Sequence, residues 1–144
     1  MAAADCGAHT AGQNKEMPMG KKRHLIAIVD DDTSVRESTI DLVQSMGFAV
    51  KSFPCAEDFL MSEDIRDTSC LIADMRMSGM SGLELHAHLA GSGRAIPTIV
   101  ITAYPNERDR LRARQFGIRC YLAKPFSDDE LVGCIQSAIA SRGG

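Results

Sequence analysis

An α/β fold, a parallel sheet covered by helices on both faces, is what this sequence predicts, and three observations carry the prediction. Five strand-length apolar runs alternate with five segments of helical spacing or composition, a pattern that requires crossover connections between parallel strands. The 144 residues, with 44% hydrophobic content, suit one domain with one core. Four of the runs end on polar residues: Asp30-Asp31-Asp32 after Leu25 to Val29, Asp74 after Cys70 to Ala73, Thr102 after Ile99 to Ile101, and Lys124 after Tyr121 to Ala123. In such a sheet the carboxyl ends of the strands open on one crevice, so these residues are expected to converge.

Residues Met1 to Lys22 are rich in alanine and glycine and have no period, which predicts a mobile extension and leaves 23–144 as the folded domain. Its basic run Lys21-Lys22-Arg23 reads as solvated. Leu25 to Val29 is the first strand. Val35, Thr39, Leu42, Val43 and Met46 then recur at helical spacing until Gly47 stops the helix. Phe48 to Phe53 alternates apolar and polar residues, the pattern of a strand, and Pro54 with Ala56 to Met61 predicts a short helix. Ser69 to Ala73 is the third strand. Ser78 to Gly82 is a glycine turn, and Leu83 to Leu89 is a helix ended by Gly91 and Gly93.

Pro97 opens a fourth strand, Thr98 to Ile101, at the one position where a strand tolerates proline well. Asn106 to Phe116 is a charged helix with an asparagine cap and a Gly117 stop, followed by a fifth strand around Cys120 to Leu122. The last helix begins at Ser127, whose S-x-x-E spacing to Glu130 is that of a capping box. Leu131, Cys134, Ile135, Ala138 and Ile139 form its apolar face.

A formal net charge of −3 supplies no broad attraction to nucleic acid or to an anionic membrane, so neither is expected as a direct partner. The five cysteines, Cys6, Cys55, Cys70, Cys120 and Cys134, lack the close spacing of zinc or redox motifs and read as mostly reduced, buried small residues. No apolar stretch approaches the roughly 18 residues of a membrane helix, and no secretory signal is visible, which makes the cytoplasm the expected compartment.

Clustered carboxylates repel one another, so Asp30, Asp31 and Asp74 in one crevice require a cation to stay ionised at neutral pH. Mg²⁺ fits, because it takes oxygen ligands in octahedral array, usually keeps waters, and binds through one or two carboxylates plus a substrate phosphate. Asp74 is then placed to attack phosphorus in line while Lys124 and Thr102 meet the equatorial oxygens.

Ile28-Val29-Asp30-Asp31-Asp32, Ile72-Ala73-Asp74-Met75-Arg76-Met77, Ile101-Thr102-Ala103 and Lys124-Pro125-Phe126 together resemble the response-regulator receiver domain of two-component signalling, and within it the FixJ/NodW-type regulators. The likeness runs from about Leu25 to Ser141. It implies a flavodoxin-like (CheY-like) doubly wound sheet of order 2-1-3-4-5 with five helices, phosphorylated on Asp74 by a sensor histidine kinase. It implies Mg²⁺ held by Asp31, Asp74 and the backbone carbonyl of Arg76, with Asp30 acting largely through bound water. Thr102 and Tyr121 match the family's switch pair, and the Lys124-Pro125 bond is expected to be cis. The family uses the fourth helix, fifth strand and fifth helix for a phosphorylation-dependent homodimer or a downstream protein.

Each residue also has a plainer reading: Asp74 as a turn cap, Thr102 as a strand threonine, Lys124 as a surface lysine, Tyr121 as packing. Joint placement favours the site, while Asp32 is better read as a helix cap. Arg108, Arg110, Arg112 and Arg114 lie four apart in pairs, forming either a solvated face or the partner surface. His86 and His88, two apart, cannot chelate one metal and read as exposed polar residues. Ser78 stands where the family pattern has proline, which predicts a looser loop, and Tyr104 stands where small residues are common, which predicts a shield over the phosphoryl group. The alternative function is a Mg²⁺-dependent phosphatase or phosphotransferase with an aspartate nucleophile. Such enzymes place a second Asp two residues on, and this chain has Arg76 there.

Overall fold

The computed structural model describes residues 24–77 and 79–143. Its elements are β1 (Leu25–Val29), α1 (Thr33–Ser45), β2 (Ala49–Phe53), α2 (Ala56–Leu60), a 3₁₀ turn (Glu63–Asp67), β3 (Thr68–Asp74), α3 (Gly82–Gly91), β4 (Thr98–Thr102), α4 (Glu107–Gln115), β5 (Cys120–Ala123) and α5 (Asp128–Gly143). The extension expected over Met1 to Lys22, with the adjoining basic run, and the loop effect expected at Ser78 lie outside the described residues.

All neighbouring strands pair in parallel, in the order β2-β1-β3-β4-β5. This is the doubly wound arrangement the sequence predicts, with five helices and the chain reversing direction across the sheet between β1 and β3. Side-chain alternation divides the core between two faces. Ile26, Ile28, Val50, Cys70, Ile72, Ile99 and Ile101 pack with Val43 of α1 and with Leu131 and Ile135 of α5. Ala27, Val29, Phe53, Leu71 and Ala73 pack with Ala56 and Phe59 of α2 and with Leu85 and Leu89 of α3. Near β4 and α4, Met75, Leu83, Val100, Ala113 and Ile118 form a third cluster.

The helix starts are chemically specified. Asp32 accepts from Val35 N at 3.2 Å and Asn106 from Asp109 N at 2.8 Å, so both are caps as expected. Ser127 and Glu130 exchange bonds of 2.9 and 3.1 Å, the predicted capping box. A second box starts α3, where Ser81 N donates to Glu84 at 2.9 Å and Glu84 N to Ser81 at 3.2 Å. Gly47 and Gly117, which end α1 and α4, take φ of 93° and 86°, the left-handed region a side chain resists.

The 3₁₀ turn supplies Asp64 to β2, where the Lys51 ammonium is buried 3.6 Å from its carboxylate. Two expectations require correction. Among the described cysteines only Cys70 is buried; Cys55, Cys120 and Cys134 are half-buried, and all four are free thiols. His86 is not an exposed bystander. It is half-buried, with Nδ1 2.8 Å from Thr98 Oγ1 and Nε2 3.0 Å from the Phe116 carbonyl, tying α3 to the start of β4 and the end of α4. His88 is exposed as expected.

Candidate functional site

Sheet register assembles the site. Val29 pairs with Ala73, so the next residues, Asp30 and Asp74, emerge side by side at the reversal point between β1 and β3. Asp74 pairs with Ile101, which puts Thr102 one step further along, and Thr102 pairs with Ala123, which puts Lys124 one step beyond that. Two backbone bonds hold this staircase: Met75 N to the Ile101 carbonyl at 2.7 Å, and Lys124 N to the Thr102 carbonyl, also at 2.7 Å.

Lys124 Nζ lies 3.3 Å from Asp30 Oδ2 and 3.1 Å from Asp74 Oδ2, so one ammonium serves two carboxylates. Asp31 is exposed at the mouth of the same crevice, and carboxylate oxygens of Asp30, Asp31 and Asp74 all lie within 4.8 Å of one another. The second oxygens are also engaged: Asp30 Oδ1 accepts from Asp32 N at 2.9 Å and Asp74 Oδ1 from Arg76 N at 3.1 Å. Thr102 is fully buried, and its hydroxyl accepts from Tyr104 N at 3.0 Å.

The charges do not balance. The Asp30 carboxyl is pushed up from 3.8 to about 6, chiefly by burial and also by the neighbouring Asp74 carboxylate, an effect that the Asp32 amide and Lys124 only partly offset. Burial alone would lower the Lys124 pKa, but its hydrogen bond to Asp74 and the charges of Asp30 and Asp74 outweigh that, holding it above the ordinary lysine value. A carboxylate kept partly protonated near neutrality, beside two others and within reach of one ammonium, is a donor set short of positive charge. Asp30, Asp31, Asp74 and the Arg76 carbonyl together offer the hard oxygen ligands a small divalent cation takes.

Tyr121 stands apart from this cluster. It is half-buried against the Val100–Ala113–Ile118 cluster, its hydroxyl accepts from Asn106 N at 3.3 Å, and the Arg110 guanidinium sits 5.1 Å from its ring centroid. Tyr104 is 68% exposed, with the Arg76 guanidinium 5.7 Å from its ring centroid and 3.9 Å from Asp109. The Lys124-Pro125 peptide is cis, as expected.

The glycine turn concealed Gly82 from sequence reasoning. At the first position of α3, it lies so close to Asp74 that an added Cβ would stand 2.7 Å from the Asp74 carbonyl oxygen. The readable signal was the S-x-x-E box at Ser81, which makes the next residue the helix start.

The family model described as the response regulator receiver domain matches residues 26–136. The chain is a receiver domain. Response regulator protein TmoT of Ectopseudomonas mendocina is 37% identical over 128 residues, covering 89% of this chain and 58% of that protein. Nodulation protein W of Bradyrhizobium diazoefficiens is 35% identical over 132 residues, covering 92% of this chain and 55% of that protein. The receiver thus spans little more than half the length of these relatives. The solved structure of FixJ-N superposes with a TM-score of 0.74 at 34% identity, covering 83% of this chain and 96% of that one. These likenesses place the receiver with FixJ/NodW-type regulators, whose receiver domains are signalling modules rather than turnover enzymes. No helix among the described residues is long and apolar enough to cross a membrane.

Proposed function

We propose that the receiver, working in the cytoplasm, accepts one phosphoryl group on Asp74 from a sensor histidine kinase, assisted by Mg²⁺, and answers with a rearranged partner surface. The observation that carries this reading is the single ammonium of Lys124 shared between Asp30 and Asp74 beside the exposed Asp31. An Asp74 carboxylate oxygen forms the new bond to phosphorus as the bond from phosphorus to the donor's imidazole nitrogen breaks. The imidazole leaves with the electron pair of that bond. Lys124 neutralises the charge that reaches the phosphoryl oxygens, and the Thr102 hydroxyl exchanges its bond from Tyr104 N for one to a phosphoryl oxygen.

Asp31, Asp74 and the Arg76 carbonyl would hold Mg²⁺, with Asp30 engaged largely through water. Mg²⁺ supplies charge neutralisation at the transferring oxygens. Water later attacks phosphorus as the bond from phosphorus to the Asp74 oxygen breaks, releasing inorganic phosphate and the Asp74 carboxylate, so the chain catalyses its own modification and nothing external. The movement of Thr102 leaves space into which the Tyr121 ring turns, and this redistributes the face formed by α4, β5 and α5, which meets a second receiver or a downstream protein. Tyr104, whose backbone N donates to the Thr102 hydroxyl, shields the phosphoryl group and slows water attack; replacing it by glycine should shorten the lifetime of the phosphorylated form, measured by loss of the adduct after removal of phosphodonor.

Incubation with acetyl phosphate and Mg²⁺ should add one phosphoryl group by intact mass, and Asp74→Ala should abolish it. Absence of the adduct at saturating metal would sink the reading. Sustained release of phosphate from unrelated monoesters would favour the aspartate-nucleophile hydrolase instead.

A further inference from the structure

Thiols gather on one face of the sheet, at the end away from the acidic crevice. Cys70 of β3 is buried in the core that α5 covers, and Cys120, the first residue of β5, and Cys134 of α5 pack against that same core. Cys120 pairs with Ile99 near the start of β4, whereas Asp74, Thr102 and Lys124 stand at or just beyond the strand ends. Cys120 and Cys134 are half-buried and share the wall of a cavity of about 190 Å³, where the exposed Gly117, Arg119 and Ser137 face solvent. Burial, and then the adjoining Cys120 thiol, push the Cys134 thiol up to about 12, so it keeps its proton at neutral pH. No spacing motif announces this pair, because the fold joins it across the loop that carries Lys124. Among the described residues the one place where three or more His, Cys, Asp or Glu ligand atoms lie together is Asp30, Asp31 and Asp74, so no third such ligand joins Cys120 and Cys134.

We propose that Cys120 and Cys134 form a two-coordinate site for a soft monovalent cation, Cu(I), held between β5 and α5. Thiolate sulfur is the ligand that Cu(I) selects, and two of them suffice for it. Zn²⁺ takes four ligands in tetrahedral array, twice what this pair supplies, and Mg²⁺ takes oxygen. Each S–H bond gives its proton to solvent as an S–Cu bond forms, and copper stays Cu(I) throughout. Two thiolates around one monovalent ion leave one negative charge in excess, which the Arg119 guanidinium on the same cavity wall is placed to meet. A direct disulfide makes a harder demand, because its sulfurs close to about 2.05 Å and draw helix and strand together, whereas an intervening copper spans thiols that only adjoin. The occupied site would tether α5 to the strand that carries Tyr121. The inference does not depend on phosphorylation of Asp74.

The test uses the whole chain, reduced and kept anaerobic, with Cu(I) presented as its coloured bicinchoninate complex. The chain should bleach that complex by taking one Cu(I) per chain. Cys120→Ser and Cys134→Ser should each abolish the uptake, while the Cys6→Ser, Cys55→Ser double variant should retain it in full. A second measurement needs no substitution: in the parent chain, bound Cu(I) should protect Cys120 and Cys134 from iodoacetamide, read by peptide mass, without changing the alkylation of Cys55. Absence of that protection would overturn the proposal even where a serine variant fails to fold. Uptake that survives either serine variant, uptake that disappears with Cys6 and Cys55, one copper shared between two chains, or equally tight binding of Zn²⁺ would each overturn it as well. So would a chain that leaves copper with the chelator yet closes a Cys120–Cys134 disulfide under hydrogen peroxide, which would make the pair a redox site instead.

Discussion

Every residue of β1, β3 and β4 is buried, whereas no residue of β5 is. The first three strands end on Asp30, Asp74 and Thr102, groups whose bonds are 3.3 Å or shorter and whose backbones are covered on both faces. β5 carries Tyr121, whose hydroxyl among the described residues has only the long contacts of 3.3 and 3.5 Å to the backbone of Asn106. The chemical end of the sheet is held rigidly by packing. The responding edge is held by contacts that individually contribute on the order of 1 kcal/mol, so a change at the phosphate can shift it.

The largest test of that contrast is Lys124→Met. It leaves two buried carboxylates without their cation, so stability at pH 7 should fall by about 1–3 kcal/mol in denaturant unfolding, phosphorylation should be lost, and added Mg²⁺ should restore part of the stability. Gly82→Ala should follow, costing about 1–3 kcal/mol by overpacking against the Asp74 carbonyl and slowing adduct formation, while leaving the α4 face unaltered in amide chemical shifts. Third is pH. Asp30, raised from 3.8 to about 6, binds its proton more readily in the folded chain, so its contribution to stability is fully present below pH 3.8 and is lost as pH rises through 6. A divalent cation needs the ionised form, so the increase in melting temperature produced by Mg²⁺ should be large at pH 7.5 and largely gone by pH 5. The smallest effect belongs to Tyr121→Phe, which removes only the Asn106 contacts. Its stability change should be within about 1 kcal/mol with adduct formation unchanged. A larger loss would show the responding edge to be as tightly held as the chemical one.

The strands and the convergence of Asp30, Asp74, Thr102 and Lys124 were legible because apolar runs and the polar residues that end them are local signals, whereas the strand order came only with the resemblance to receiver domains. What escaped was set by contacts between distant segments. The turn Glu63–Asp67 has no apolar period to announce it, and without it the burial of Lys51 cannot be foreseen. His86 looked solvent-facing on its helix because its partners, Thr98 and Phe116, are 12 and 30 residues away. Gly82 passed for a turn residue because its constraint is the Asp74 carbonyl across the loop, a neighbour that no spacing rule encodes.

The His86 junction also has a consequence in the placement of single hydrogens. A carbonyl cannot donate, so Nε2 facing Phe116 must carry a hydrogen; burial lowers the ring's pKa, which favours the neutral form with a bare lone pair on Nδ1. Thr98 has one hydroxyl hydrogen and two claimants, that lone pair at 2.8 Å and the Ile96 carbonyl, also at 2.8 Å. A neutral ring takes the hydrogen and releases Ile96, while a protonated ring supplies its own and returns the hydroxyl to the loop. The entrance to β4 and the exit of α4 therefore share one proton inventory, kept by a histidine well away from any phosphate.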